Sequence, residues 1–135
     1  MRKLIPLIAA SLVATGATAV QAKERDPEAQ LARALEGRVA GEPVDCISLN
    51  RIRSTRIIPD TAIVYEIGNV LYVNRPEAGA ISLDEMDTLV SRGFSNRLCS
   101  IDVLQLVDMS SRMTHGAVFL GEFVPYRRVR TASND

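Results

Sequence analysis

The sequence predicts an α+β domain that is mainly antiparallel β: a small twisted sheet or barrel-like domain with one or two short helices. Three observations carry that expectation. β-Branched and apolar residues come in short runs, turn residues separate those runs closely, and helical spacing of apolar residues occurs in only two places. The chain has 135 residues, which suits one domain with one modest core.

The first segment, 1–22, reads as a signal peptide. Arg2 and Lys3 precede an uncharged run from Leu4 to Gly16, and small residues follow in "ATAVQAKE". Cleavage after Ala22 puts Val20 and Ala22 at the small-residue positions, with Ala19 as the second choice. The apolar run is shorter than the roughly 20 residues a spanning helix needs, and no cysteine lies near to accept a lipid. The expectation is a periplasmic or secreted protein with no stable membrane anchor after cleavage.

Residues 23–43 form a helical or linker segment. Asp26 suits a helix cap, Pro27 the first helical position and Glu28 the positive helix end, while Leu31, Leu35 and Val39 recur at four-residue spacing. Gly41 and Pro43 end the run. From Val44 to Tyr126 the texture is β-rich. "DCISL" and "TRII" read as short strands, and "TAIVYEIGNVLYVN" as a tight hairpin turning at Gly68-Asn69, with strands at Ile63–Ile67 and Val70–Asn74. "ISLDEMDTLV" predicts a helix: Ser82 and Glu85 form a capping box, and Leu83, Met86, Leu89 and Val90 lie at helical spacing. Gly93 ends it. "VLQLVDM" and "GAVFLGEFVPY" supply the last strands, and 127–135 is a polar, flexible tail.

Several functions fall away on composition. Lys and Arg number 16 against 16 Asp and Glu, and the balance turns slightly acidic once Arg2 and Lys3 are removed, so the basic field needed for nucleic acid is missing. There is no Trp, and only 3 Tyr and 3 Phe are available as stacking platforms. Tyr65 and Tyr72 flank the predicted turn, where cross-strand packing explains them. One histidine and two distant cysteines do not make a zinc site, and Asp84, Glu85 and Asp87 lack calcium-loop spacing. No metal and no cofactor is expected.

In an oxidising compartment the two cysteines, Cys46 and Cys99, are expected to form one disulfide, since Cys-x-x-Cys spacing is absent. The candidate binding residues are Arg51, Arg53 and Arg56. If the stretch after Cys46 stays extended, Arg51 and Arg53 share a strand face and can grip a carboxylate or phosphate; the alternative is exposed ion pairing with Glu66 or Asp60. An enzymatic reading rests on His115 with Asp102 or Asp108 and Ser110 or Ser111. No nucleophile elbow surrounds either serine, and the "SSRMTHG" stretch reads as a polar turn.

"CISLNRIRSTRIIPDTAIVYE", "LYVNRP", "GFSNRLCSIDVLQLVD" and "LGEFVPY" resemble the spaced signatures of a family of small secreted proteobacterial proteins of unknown function. The resemblance covers Cys46 to about Tyr126. That pattern often carries two further cysteines, near Ala80 and Val118; both are absent here, as the loss of one mutual bridge would leave them, with Cys46 and Cys99 as remaining partners. The resemblance implies fold boundaries and a bridge, not a chemistry. The favoured expectation is a non-enzymatic binding module of the cell envelope, with inhibitor-like action as one form of it, whose partner is an envelope protein or a small anionic ligand. The alternative is a small periplasmic hydrolase or isomerase using His115 with a carboxylate.

Overall fold

The Asp26 carboxylate accepts the backbone N–H of Glu28 at 3.1 Å, and Pro27 takes the first helical position, so helix α1 runs over Pro27–Ala34. These coordinates come from a computed structural model that describes residues 26–130; the expected signal peptide and the end of the expected tail lie outside the described residues. Helix α1 stops well before the Leu31, Leu35, Val39 spacing predicts. Gly37 sits at φ 73°, which turns the chain into strand β1 (Arg38–Ala40). The segment before Val44 is therefore no loose linker: β1 hydrogen-bonds to the last strand.

The remaining strands are β2 (Cys46–Ser48), β3 (Ser54–Ile58), β4 (Ala62–Ile67), β5 (Val70–Asn74), β6 (Asp87–Ser91), β7 (Arg97–Cys99), β8 (Val103–Asp108), β9 (Thr114–Phe119) and β10 (Phe123–Arg128). All pair antiparallel, in three sheets: β1-β10-β5-β4-β3, β2-β7 and β6-β8-β9. None closes into a barrel. The hairpin at Gly68-Asn69 forms as expected, with Gly68 at φ 58°.

Three expectations need correction. The segment expected as a helix from Ser82 is a 3₁₀ turn at Ala80–Ser82 followed by strand β6. The Asp84 carboxylate accepts the Met86 N–H at 2.8 Å, a local turn that competes with helix initiation, and Thr88 and Val90 favour extended backbone. "GAVFLGEFVPY" is two strands divided at Leu120–Glu122, because Gly121 packs where a Cβ would lie 2.6 Å from the Arg75 carbonyl oxygen. Finally, Arg127 and Arg128 belong to β10, opposite Val39 and Arg38, and not to a tail.

Strand β4 separates two apolar clusters. Its Ile63 and Tyr65 face the interior between the sheets, with Leu104, Leu106 and Val118 of the three-stranded sheet and Ile47 and Leu98 of the ribbon. Ala62 and Val64 face the other way, with Ile58 and Val73, and are covered by Leu31 of α1. Apolar packing on both faces explains why four successive residues of β4, Ala62 to Tyr65, are buried. Asn74, fully buried, donates to the Gly121 carbonyl at 2.6 Å and accepts the Gly121 N–H at 3.0 Å, replacing a ladder rung where the chain bends.

Cys46 and Cys99 form the disulfide, directly opposite across β2 and β7 with Cα atoms 4.0 Å apart. Leu49 N–H donates to Asn96 and Ser100 N–H to Asp45, so the alternate rungs carry the hydrogen bonds and the cysteines occupy a non-hydrogen-bonded pair, where opposed side chains are closest. The described residues contain no free cysteine and no helix long and apolar enough to cross a membrane.

Candidate functional site: a cleft between two open strand edges

Strands β3 and β6 are the outer strands of their sheets. Between them lies a cleft of about 900 Å³ that reaches the interior cluster. Its floor is apolar: Leu49, Ile52, Ile57, Leu89, Leu98 and Leu104, with Tyr65 among them. Arg33 of α1 and Arg56 of β3 stand at one rim, Glu85 and Asp87 at the other. Its volume is in the range of a ligand site, with apolar residues at the floor and polar and charged ones around them.

The hydrogen-bond registers identify which backbone groups face the opening. On β3, Arg53 N–H donates to Glu66 and the Ile58 carbonyl accepts from Thr61, which places Ser54, Arg56 and Ile58 on the rungs to β4. By alternation the N–H and C=O of Thr55 and Ile57 point outward. On β8, Leu120 N–H donates to the Asp102 carbonyl, so 102, 104 and 106 serve β9 while Gln105 and Val107 serve Val90 and Thr88 of β6. That leaves Leu89 and Ser91 of β6 pointing outward. All four outward residues, Thr55, Ile57, Leu89 and Ser91, line the cleft.

Tyr65 is 3% exposed, and its hydroxyl has no hydrogen-bond partner among the described residues. A buried phenol without a partner costs free energy. Burial also pushes its pKa above the usual phenol range, so it remains a neutral donor. The ring is held by Phe123, with centroids 5.9 Å apart and planes at 58°.

The arginines of the sequence reading separate. Arg51 ends a 3₁₀ turn, Leu49–Arg51, that interrupts the expected strand, so Arg51 and Arg53 do not share a strand face. Arg53 lies 3.8 Å from Glu66, an exposed pair worth about 0–1 kcal/mol. Arg56 stands at the cleft with Arg33, and neither has an ion-pair partner among the described residues. Arg51 instead lines a smaller pocket of about 260 Å³ with Arg97, Ser48 and Tyr72, beside the disulfide. Arg33, Arg97 and the outward edge groups were not legible in the sequence, because only the sheet order brings them to an opening. Tyr65 was visible as a cross-strand partner of Tyr72, which it is.

His115 is not in a turn. It is the extra residue of a β-bulge in β9, where Leu106 pairs with Gly116 and Val107 with Thr114. The bulge aims Nε2 at Asp87 Oδ1, 2.8 Å away, over an aspartate whose side chain is 2% exposed. Asp87 also accepts the Asp84 N–H at 3.2 Å. Ser110 and Ser111 turn from the imidazole: Asp108 accepts the Ser110 hydroxyl at 2.5 Å and the backbone N–H groups of both serines. The Ser110 hydroxyl first, and the Ser111 N–H next, hold the Asp108 carboxyl down at about 2. His115 and Asp87 thus form a dyad to which no hydroxyl of the described residues is bonded. Among the described residues no three His, Cys, Asp or Glu side chains group as a metal site would require. Comparison with protein-family models, curated proteins and solved structures finds no match for this chain.

Proposed function

We propose that the protein is a non-enzymatic binding module of the cell envelope, working in the periplasm or outside the cell, and that the cleft between β3 and β6 is its binding site. The observation that carries the reading is the combination at one opening of an apolar floor with two arginines and a buried hydroxyl that have no partner among the described residues. A ligand with an apolar portion and a carboxylate or other anion satisfies all three. The Cys46–Cys99 bridge suits an oxidising compartment, and the charged start of the chain suits export. The resemblance to small secreted proteobacterial proteins supports the same location.

Titration of the purified protein, followed by amide NMR shifts, tests this with three probe sets: carboxylates bearing alkyl tails, muropeptide fragments and linear acidic peptides. The expected result is saturable shifts centred on Thr55, Arg56, Leu89 and Ser91 for at least one set, lost in an Arg33→Glu/Arg56→Glu variant. Shifts confined to His115 and Asp87, with turnover of a probe, would replace the binding reading with the hydrolase or isomerase one.

A further inference from the structure

We infer that the natural occupant of the cleft is an extended segment of a partner protein, added as a strand between β3 and β6, with alternate side chains apolar and at least one acidic side chain toward Arg33 and Arg56. The inference rests on the binding-module reading and specifies its ligand. Two features point to a polypeptide backbone and not to a compact small molecule. First, each wall of the cleft is a strand edge that presents N–H and C=O groups, at Thr55 and Ile57 on one side and Leu89 and Ser91 on the other. Groups repeating every second residue along an edge are matched by another strand. Secondly, the cleft opens between the outer strands of two separate sheets whose apolar residues share one interior cluster, so a strand added there has an edge on either side.

Side-chain placement follows from strand alternation. Along β3, Ile57 faces the interior and Arg56 and Ile58 face the helix side, so an added strand has the same two faces. Its inward residues enter the apolar floor near Tyr65, whose hydroxyl gains a partner in the segment's polar atoms. Its outward residues meet Arg33 and Arg56, which lack acidic partners among the described residues. Charge complementarity therefore selects an acidic residue on that face, where a guanidinium can grip a carboxylate at two points. The exposed Glu85 beside the cleft disfavours a second acid on the β6 side.

The test pans a phage-displayed library of linear random dodecapeptides on the purified full chain with its disulfide intact. The expected outcome is enrichment of peptides with apolar residues at alternate positions and Asp or Glu at a fixed place between them. In the best synthetic peptide, N-methylation of one central amide should weaken binding about tenfold or more, because it removes an edge hydrogen bond and adds bulk at the edge. Hydrogen exchange at Thr55, Ile57, Leu89 and Ser91 should slow on binding. In Arg33→Glu/Arg56→Glu the peptide should lose about tenfold or more, and its Glu→Lys analogue should recover it. The inference is overturned by enriched peptides of helical spacing, by tolerance of N-methylation at every central amide, by no enrichment at all, or by a self-associated dimer that hides these edges from peptides. If alkyl carboxylates or muropeptides fill the cleft while peptides do not, the strand inference fails and the binding-module reading stands.

Discussion

Asn74 is the single buried polar residue of the described core, and both of its side-chain hydrogen bonds go to the backbone of Gly121. Replacing it with Leu keeps much of the volume and orphans one N–H and one C=O. We expect Asn74→Leu to lower stability by about 2–4 kcal/mol in urea unfolding, since each unsatisfied buried group costs about 1–3 kcal/mol. Asp108 makes a prediction of a different kind. Its folded pKa, about 2, lies below its ordinary value of 3.8. The sign follows: its hydrogen bonds to Ser110 and Ser111 support the β8–β9 turn fully above the ordinary value and are lost as pH falls through the folded one. A carboxyl NMR titration should give a midpoint near 2, and Ser110→Ala should raise it. At this scale the sequence named Asp108 with Ser110 and Ser111, and His115, but not Asp87 as the partner of His115. Asp87 reaches His115 only because a bulge adds a residue to β9, and no local pattern announces a bulge at "MTHGAV".

Elements were legible where local chemistry and tertiary packing agree. The β4–β5 hairpin is the clearest case, since Gly68-Asn69 and the flanking β-branched runs both ask for it. Gly68 stands at φ 58° with nothing within 4 Å of the position of a Cβ, so the cost of a side chain there is purely conformational. Gly68→Val should destabilise by about 1–2 kcal/mol in thermal or denaturant unfolding, with Gly68→Ala costing less. Elements were illegible where period and packing disagree. Leu83, Met86, Leu89 and Val90 fit a helical stripe, yet Leu83 is 3% exposed and Met86 66%, which no single buried helix face would produce. β1 was missed for another reason: its three residues carry no strand signal of their own and are held extended by β10. Arg51, expected on a strand, is turned away by the 3₁₀ bonds that close after Leu49, including Ile52 N–H to the Leu49 carbonyl at 3.3 Å.

For the whole molecule, the antiparallel α+β class was readable from run lengths and turns, while the division into three sheets was not, because sheet order depends on pairings far apart in the chain. The cleft exists only by virtue of that order. The disulfide is the strongest constraint at this scale. It closes a separation of 53 residues, for which the chain-entropy estimate is about 4 kcal/mol. Cys46→Ala/Cys99→Ala should lose on the order of 2–4 kcal/mol, read as a lowered denaturation midpoint with an increased m-value if the unfolded chain expands. The pairing of β1 with β10 has a consequence for the order of assembly. Arg38 and Arg128 are neighbours in the finished sheet, and β10 lies between β1 and β5, so β10, the last of the described strands, is inserted within the sheet and not added at its margin. Until it arrives β1 has no neighbour, β5 has a bare side and Asn74 waits for Gly121. Completion of the five-stranded sheet is then a long-range event, whose loop-closure cost comes before the contacts that repay it.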